Sequence, residues 1–175
     1  MEFKELINKR RSTRRFIDKE IDRQTLRQIM EQALTAPSAK NTRSTRLMAV
    51  TDHAQLERMS QMRDFGAAFL SGAAAAVVVM GDRQVSPLWL DNAAITATML
   101  QLAAVDAGLA SCWVHVNGYR RLKDDPSSQL ASDYLKEFLP IPPHYDILCV
   151  MALGYADYTP KPLPEYEGDE RVLFA

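Results

Sequence analysis

The chain has 175 residues, 47% of them hydrophobic and 25% charged. That is enough for one domain with a sizeable core, and it excludes a disordered, collagen-like or low-complexity chain. The 21 Lys and Arg nearly balance the 22 Asp and Glu, leaving a net charge of -1. No global basic excess therefore points to nucleic acid or to an anionic membrane.

In chain order, residues 2–10 read as a short helix with Phe3, Leu6 and Ile7 on one face. Asp22 is placed to cap a second helix running to Thr35, with Ile21 and Leu26 as a hydrophobic staple. Ile29, Met30, Ala33 and Leu34 continue its buried stripe. Pro37 stops it, and residues 36–45 read as loop. A strand is expected over Arg46–Thr51, then a helix from Asp52 through Met62. The Val-rich run Ala73–Met80 suits a strand buried on both faces.

Ser86-Pro87 predicts the start of a long helix ending near Ala107 at Gly108, a natural C′ residue. Asp91, Asn92, Gln101 and Asp106 argue against a membrane span, so it reads as a central buried helix. A strand follows over Leu109–Val116, and then a polar excursion over Arg120–Gln129. Ser132 is expected to cap a short helix, and Tyr145–Leu153 is the last strand. These elements give an α+β chain forming a single domain over 1–175, with 160–175 as an extended C-terminal tail. The long helix is too apolar for one small sheet to cover, which points to a partner subunit.

Only two cysteines occur, Cys112 and Cys149, both in apolar runs. A disulfide framework is not expected, and a reducing, cytoplasmic setting is. The opening segment has no apolar core of the kind a signal peptide needs. His53, His115 and His144 form no metal-ligand spacing, and no nucleophile elbow, Walker loop or dinucleotide fingerprint is present. A Cys112–His115 dyad competes with the plainer reading of a buried strand cysteine beside an unrelated histidine.

The densest chemical signal is Arg10-Arg11-Ser12-x-Arg14, three guanidinium groups and a hydroxyl within five residues at the end of a helix. Guanidinium forks bind phosphate bidentately. Alone, such a run also fits a solvated face or a basic interaction module. Nucleic-acid binding is disfavoured by the charge balance elsewhere and by the lack of interleaved aromatics.

Four segments together resemble the FMN-dependent nitroreductase family: Arg10-Arg11-Ser12-x-Arg14-x-Phe16, Ala36-Pro37-Ser38-x-x-Asn41, Gly108-Leu109-x-Ser111-Cys112-Trp113, and Ala152-Leu153-Gly154-Tyr155 followed by Pro160-Lys161-Pro162. The resemblance spans nearly the whole chain. It implies a nitroreductase-like homodimer with a central mixed or antiparallel sheet flanked by helices, a long central helix, and FMN at the subunit interface. By resemblance, the opening motif including Arg11 meets the cofactor. Arg10 and Ser12 would hold the phosphate, Arg14 the N1/O2 edge of the flavin, and Lys161 would add charge from the tail. Pro37, Ser38 and Asn41 would come from the other subunit, and backbone around Trp113, Val114 and His115 would approach N5.

Such a protein takes electrons from NADH or NADPH and passes them as hydride to a nitroaromatic, quinone or similar small acceptor. The alternative is a non-enzymatic protein that stores or senses FMN. Departures from the family pattern occur at Arg43-Ser44-Thr45, where Gln-Pro-Trp is frequent, at Leu163, where many relatives have Arg, and around Gly66–Phe69, which lacks the Asn and Lys some relatives use. They bear on the acceptor more than on cofactor binding.

Overall fold

The computed structural model describes residues 2–158, Leu163, Leu173 and Phe174. Among them, helices and strands follow in the order α1 (Phe3–Lys9), α2 (Arg23–Ala33), β1 (Thr45–Val50), α3 (His53–Ser60), β2 (Ala75–Asp82), α4 (Trp89–Asp106), β3 (Ala110–His115), α5 (Ala131–Lys136) and β4 (Tyr145–Gly154). Short 3-10 turns occupy Ala39–Asn41 and Ala68–Gly72.

The four strands form one sheet in the order β1-β2-β4-β3, with every neighbouring pair antiparallel. The expected choice between mixed and antiparallel is thus settled, apart from one parallel bridge, Ser12 to Ser111, at the outer edge of β3. All eight residues of β2 are buried, as the Val-rich run predicts. Its side chains alternate between two cores. Ala76, Val78 and Met80 face a cluster with α3 and α5 residues such as Leu56 and Leu135. Ala75, Val77 and Val79 face α2 and α4 through Leu26, Ile29, Ala97 and Leu100. Each buried Val contributes about 1.5–3 kcal/mol. A register shift between Val79 and Met80 leaves Leu148 of β4 unpaired with β2. The Leu148 carbonyl instead accepts from both Val116 and Asn117, which ends β3.

Helix ends show where local signals act and where tertiary contacts override them. Asp22 caps α2 as predicted, accepting from Thr25 N at 2.8 Å and from its hydroxyl at 2.6 Å. The helix ends at Ala33, and Leu34 is 45% exposed rather than part of the buried stripe. Leu26, Ile29 and Ala33 already cover the core, and Leu34 lies round the helix from them. α4 starts at Trp89, not at Ser86, because Ser86 is drawn into a preceding turn and its Oγ accepts from Leu88 N. Gly108 does end α4. It has φ +74°, and Gly108 N→Val105 O (3.0 Å) with Leu109 N→Ala104 O (2.8 Å) closes a Schellman pair. α5 begins at Ala131, so Ser132 lies inside it and does not cap it. The Ala131 N–H is already taken by the Tyr119 carbonyl.

α4 buries Asn92, Ala93, Thr96, Ala97, Leu100, Gln101 and Ala104 against the sheet and α2. As expected for a helix that one small sheet does not cover, Ile95 on its opposite side is 41% exposed, and Leu88 and Leu90 at its start are 50% and 39% exposed. α1 lies beside α4 with no buried residue, and its Phe3 is 69% exposed. Among the described residues no helix is long and apolar enough to cross a membrane.

Candidate functional site

The cationic motif is docked on the outer edge of β3. α1 ends at Lys9 and the chain turns extended at Arg10 (φ -61°, ψ 123°). Residues 12–13 then run alongside β3, and Thr13 N–H donates to the Ser111 carbonyl at 2.9 Å. Phe16 locks the segment from the other end. A Cβ on Gly154 would come within 2.7 Å of its ring, so only glycine admits this approach. Thr13 is buried, whereas Ser12, Arg14 and Arg15 are exposed.

Ser12, Arg14, Arg15, Asp157 and Tyr158 line a cleft of about 470 Å³, and the Tyr158 hydroxyl donates to Thr13 Oγ1 at 3.3 Å. Arg14 Nη1 sits 3.5 Å from the Ser12 carbonyl. Arg11 points differently from the rest of the motif. Its guanidinium returns to the carbonyls of Asn8 and Arg10 at the end of α1, where cations favour the helix dipole. Lys161 lies outside the described residues.

β3 brings Trp113, Val114 and His115 next to this motif. Because the Ser111 carbonyl points off the sheet, strand alternation puts the backbone N–H and C=O of Trp113 and His115 on the same outer edge. Arg63 Nη1 donates to the His115 carbonyl at 3.0 Å, and its guanidinium lies 4.0 Å from the centre of the Tyr119 ring. The Trp113 and His115 rings are parallel within 7°, and Trp113 Nε1–H donates to His115 Nδ1 at 3.3 Å. Burial, and then the charge of Arg63, hold the His115 imidazole below its usual value, with a backbone contact from Asn117 opposing them.

The same alternation breaks the Cys112–His115 dyad. Cys112 faces the α3–α5 core with Val114, while His115 shares the other face with Trp113. Cys112 Sγ reaches the Trp113 carbonyl at 3.8 Å, and burial pushes its thiol up, against the opposing charge of Arg14. Cys149 is buried more completely, and its thiol is raised further.

Pro37, Ser38 and Asn41 are not brought to this place. Their loop leads into β1, at the opposite edge of the sheet from β3. Three inter-strand spacings separate the two edges, roughly 14 Å. Lys40, Asn41 and Arg43 all have positive φ, 51°, 53° and 48°. Such backbone costs roughly 1–2 kcal/mol per non-glycine residue. Ser38 Oγ accepts from Arg43 N (2.9 Å) and Asn41 Oδ1 from Arg43 Nε (3.1 Å). Asn92, 1% exposed, ties the loop to α4. The two sets of expected site residues therefore lie at opposite edges of the sheet.

Sequence reasoning did not single out Arg63, Asn92 or Tyr158 as site residues. An amide inside an otherwise apolar helix was the available hint for Asn92. Nothing in the sequence connects Arg63 or Tyr158 to the motif. A larger groove of about 710 Å³, between residues 16–21, the start of α2 and residues 71–74, contains none of the expected site residues.

The sequence pattern of the nitroreductase family matches residues 7–91 and 61–155. The chain belongs to the nitroreductase family. A protein of Archaeoglobus fulgidus, provisionally named an NADH dehydrogenase/NAD(P)H nitroreductase, is 32% identical over 171 residues, 95% of this chain and 90% of the relative. A protein of Methanothermobacter thermautotrophicus with the same provisional name is 26% identical over 91% of this chain and 80% of its own length. The solved structure of an FMN-dependent nitroreductase from Clostridium difficile R20291 superposes with a TM-score of 0.87 at 34% identity, covering 97% of this chain and 96% of that one. The α+β architecture described above is thus the nitroreductase fold.

Proposed function

We propose that this chain is an FMN-dependent NAD(P)H oxidoreductase, working as a homodimer on a small flat acceptor such as a nitroaromatic or a quinone. The observation that carries the reading is the separation of the two half-sites onto opposite edges of one sheet, each with exposed polar groups. Family membership and the FMN-dependent relative at 34% identity support it.

The residues at the β3 edge suit the cofactor. Its phosphate carries roughly two negative charges near neutral pH. Arg10 and Ser12 supply a fork and a hydroxyl for it, and Arg14, on the same extended segment, supplies a cation for the pyrimidine edge. Ser111 Oγ is buried beside Ser12 and, among the described residues, is the one such side-chain atom without a hydrogen-bond partner. Bound flavin supplies two-electron hydride exchange at N5. The chain's own work is then to bind, orient and exclude water, with outward N–H groups on Trp113 and His115 as donors. No acid–base triad is needed. The buried, raised thiols of Cys112 and Cys149 agree with that.

Dimerisation has a physical motive in the exposed apolar side of α4 and the neighbouring α1, whose burial stabilises association at about 25 cal/mol per Å². In the dimer, Pro37, Ser38 and Asn41 of one subunit line the cofactor held by the other's Arg10–Arg14 segment. The test is the visible spectrum of protein reconstituted with FMN and then given NADH or NADPH. Flavin absorption that co-purifies and bleaches with either donor, with turnover on adding a quinone, is the expected result. Protein that takes up no FMN contradicts the reading. A coloured protein that neither donor bleaches contradicts its enzymatic half.

A further inference from the structure

The Asn92 side chain makes four hydrogen bonds, and it lies outside the four segments that carry the family resemblance. It stands one turn into α4, 1% exposed among Ala93, Thr96 and Ala97. Its Oδ1 accepts from Ala39 N–H at 2.9 Å. Its Nδ2 faces three hydroxyl oxygens, Ser44 at 2.9 Å and Thr42 and Ser86 at 3.4 Å each. Ala39, Thr42 and Ser44 come from the 38–44 loop, some fifty residues away. Ser44 is fully buried, and its carbonyl accepts from Asp82 at the end of β2. Between these anchors sit Lys40, Asn41 and Arg43, the positive-φ residues, with Lys40 and Asn41 exposed. A strained segment persists only where its surroundings over-determine it, and strain of this kind gathers at ligand-holding loops. An amide presenting an acceptor and two donors on one rigid group meets that need, and no other side chain of its size does.

We propose that Asn92 is a positioning residue: from inside α4 it pins both ends of the 38–44 loop, so that Ser38 and Asn41 are pre-set to meet the cofactor held by the other subunit. This rests on the proposed function, which assigns that loop to the partner's flavin. Pre-organisation lowers the ordering cost of binding, so its loss appears as weaker binding without loss of a direct contact.

The experiment compares wild type, Asn92→Ala, Asn92→Asp and Ser44→Ala by two readouts: amide hydrogen exchange across residues 38–44 in the absence of cofactor, and FMN affinity of the folded dimer. Asn92→Ala is expected to speed exchange at Ala39 and Asn41–Arg43 and to weaken FMN about tenfold or more. Asn92→Asp keeps the acceptor for Ala39 and loses the donors, so it falls between. Should Asn92→Ala fail to fold, Ser44→Ala removes one partner from the loop side and is expected to show the same two changes in smaller degree. A double variant with Asn41→Ala should be less than additive on FMN affinity, because both act through one loop. Faster loop exchange with unchanged FMN affinity, or folded variants with neither change, overturns the proposal. Faster exchange in a wild-type background that binds no FMN supports the pinning of the loop and overturns the functional reading instead.

Discussion

The two edges of the sheet solve the same problem by opposite means. At the β3 edge, the extended 12–13 segment takes regular strand geometry from Ser111 and needs no strain, so the guanidinium and hydroxyl groups of Ser12 and Arg14 are presented by ordinary backbone. At the β1 edge, the 38–44 loop holds three non-glycine residues at positive φ and depends on a buried amide in α4 for its shape. The first segment is held by backbone pairing with Ser111 of β3, far away in sequence, and the second by side-chain contacts from a single buried amide. A change at the first should therefore act on one ligand contact at a time. A change beneath the second should act on the loop as a unit.

The largest expected effect comes from parting the halves altogether. Ile95, 41% exposed on the outer side of α4, faces the surface assigned to the partner. Ile95→Arg places an uncompensated charge there and should weaken the dimer by about a hundredfold or more. Size measurement at low micromolar concentration should then give one chain mass instead of two, with FMN lost in parallel. A monomeric variant that keeps FMN tightly would break the comparison outright.

The next effect is confined to the β3 edge. Arg10→Ala and Ser12→Ala should each lower FMN affinity by roughly tenfold to a hundredfold, the cost of a lost hydrogen bond to a charged group. Thermal stability should change little, since both side chains lie outside the two cores. Titration of apo-protein by fluorescence quenching measures it, and unchanged affinity in both variants would remove the phosphate assignment.

How much of this was legible in the sequence follows the range of each interaction along the chain. Asp22, Gly108 and the Val-rich β2 act through neighbours a few residues away, and each was readable. Ser86 and Ser132 carry cap chemistry, but Ser86 Oγ is spent on Leu88 N–H in the turn before α4, and α5 already starts at Ala131, whose N–H pairs with the Tyr119 carbonyl. Leu34 and Ile95 look like core by composition but are exposed, because each lies round its helix from the stripe that meets the sheet. The Arg10–Arg14 motif was legible as the densest cluster of cationic and hydroxyl side chains. That Arg11 turns back to cap α1 was not, since residue type alone does not fix where a guanidinium points. The opposite-edge placement of Pro37, Ser38 and Asn41 depends on the strand order, which no local signal specifies.

The smallest effect concerns pH at the β3 edge. Burial and Arg63 hold the folded His115 below its ordinary value of 6.5. As pH falls through about 6.5, the unfolded chain binds this proton before the folded chain does, so stability is full above that value and declines below it. His115→Gln cannot take the proton and should show a shallower decline in the denaturation midpoint between about pH 8 and pH 5. An identical acid slope in both proteins would show that His115 is not buried and crowded as described.

The central claim is that each cofactor site draws the Arg10–Arg14 segment from one subunit and the 38–44 loop from the other. Hybrid dimers test it most directly. One chain carries Arg10→Ala with Ser12→Ala, the other carries Ser38→Ala with Asn41→Ala, and FMN stoichiometry and affinity are measured on the purified hybrid. With shared sites, both lesions fall in one site and the other is intact, so the hybrid binds one FMN per dimer with wild-type affinity although neither parent dimer does. If each site lies within a single chain, every site in the hybrid carries one lesion and no tight FMN is found.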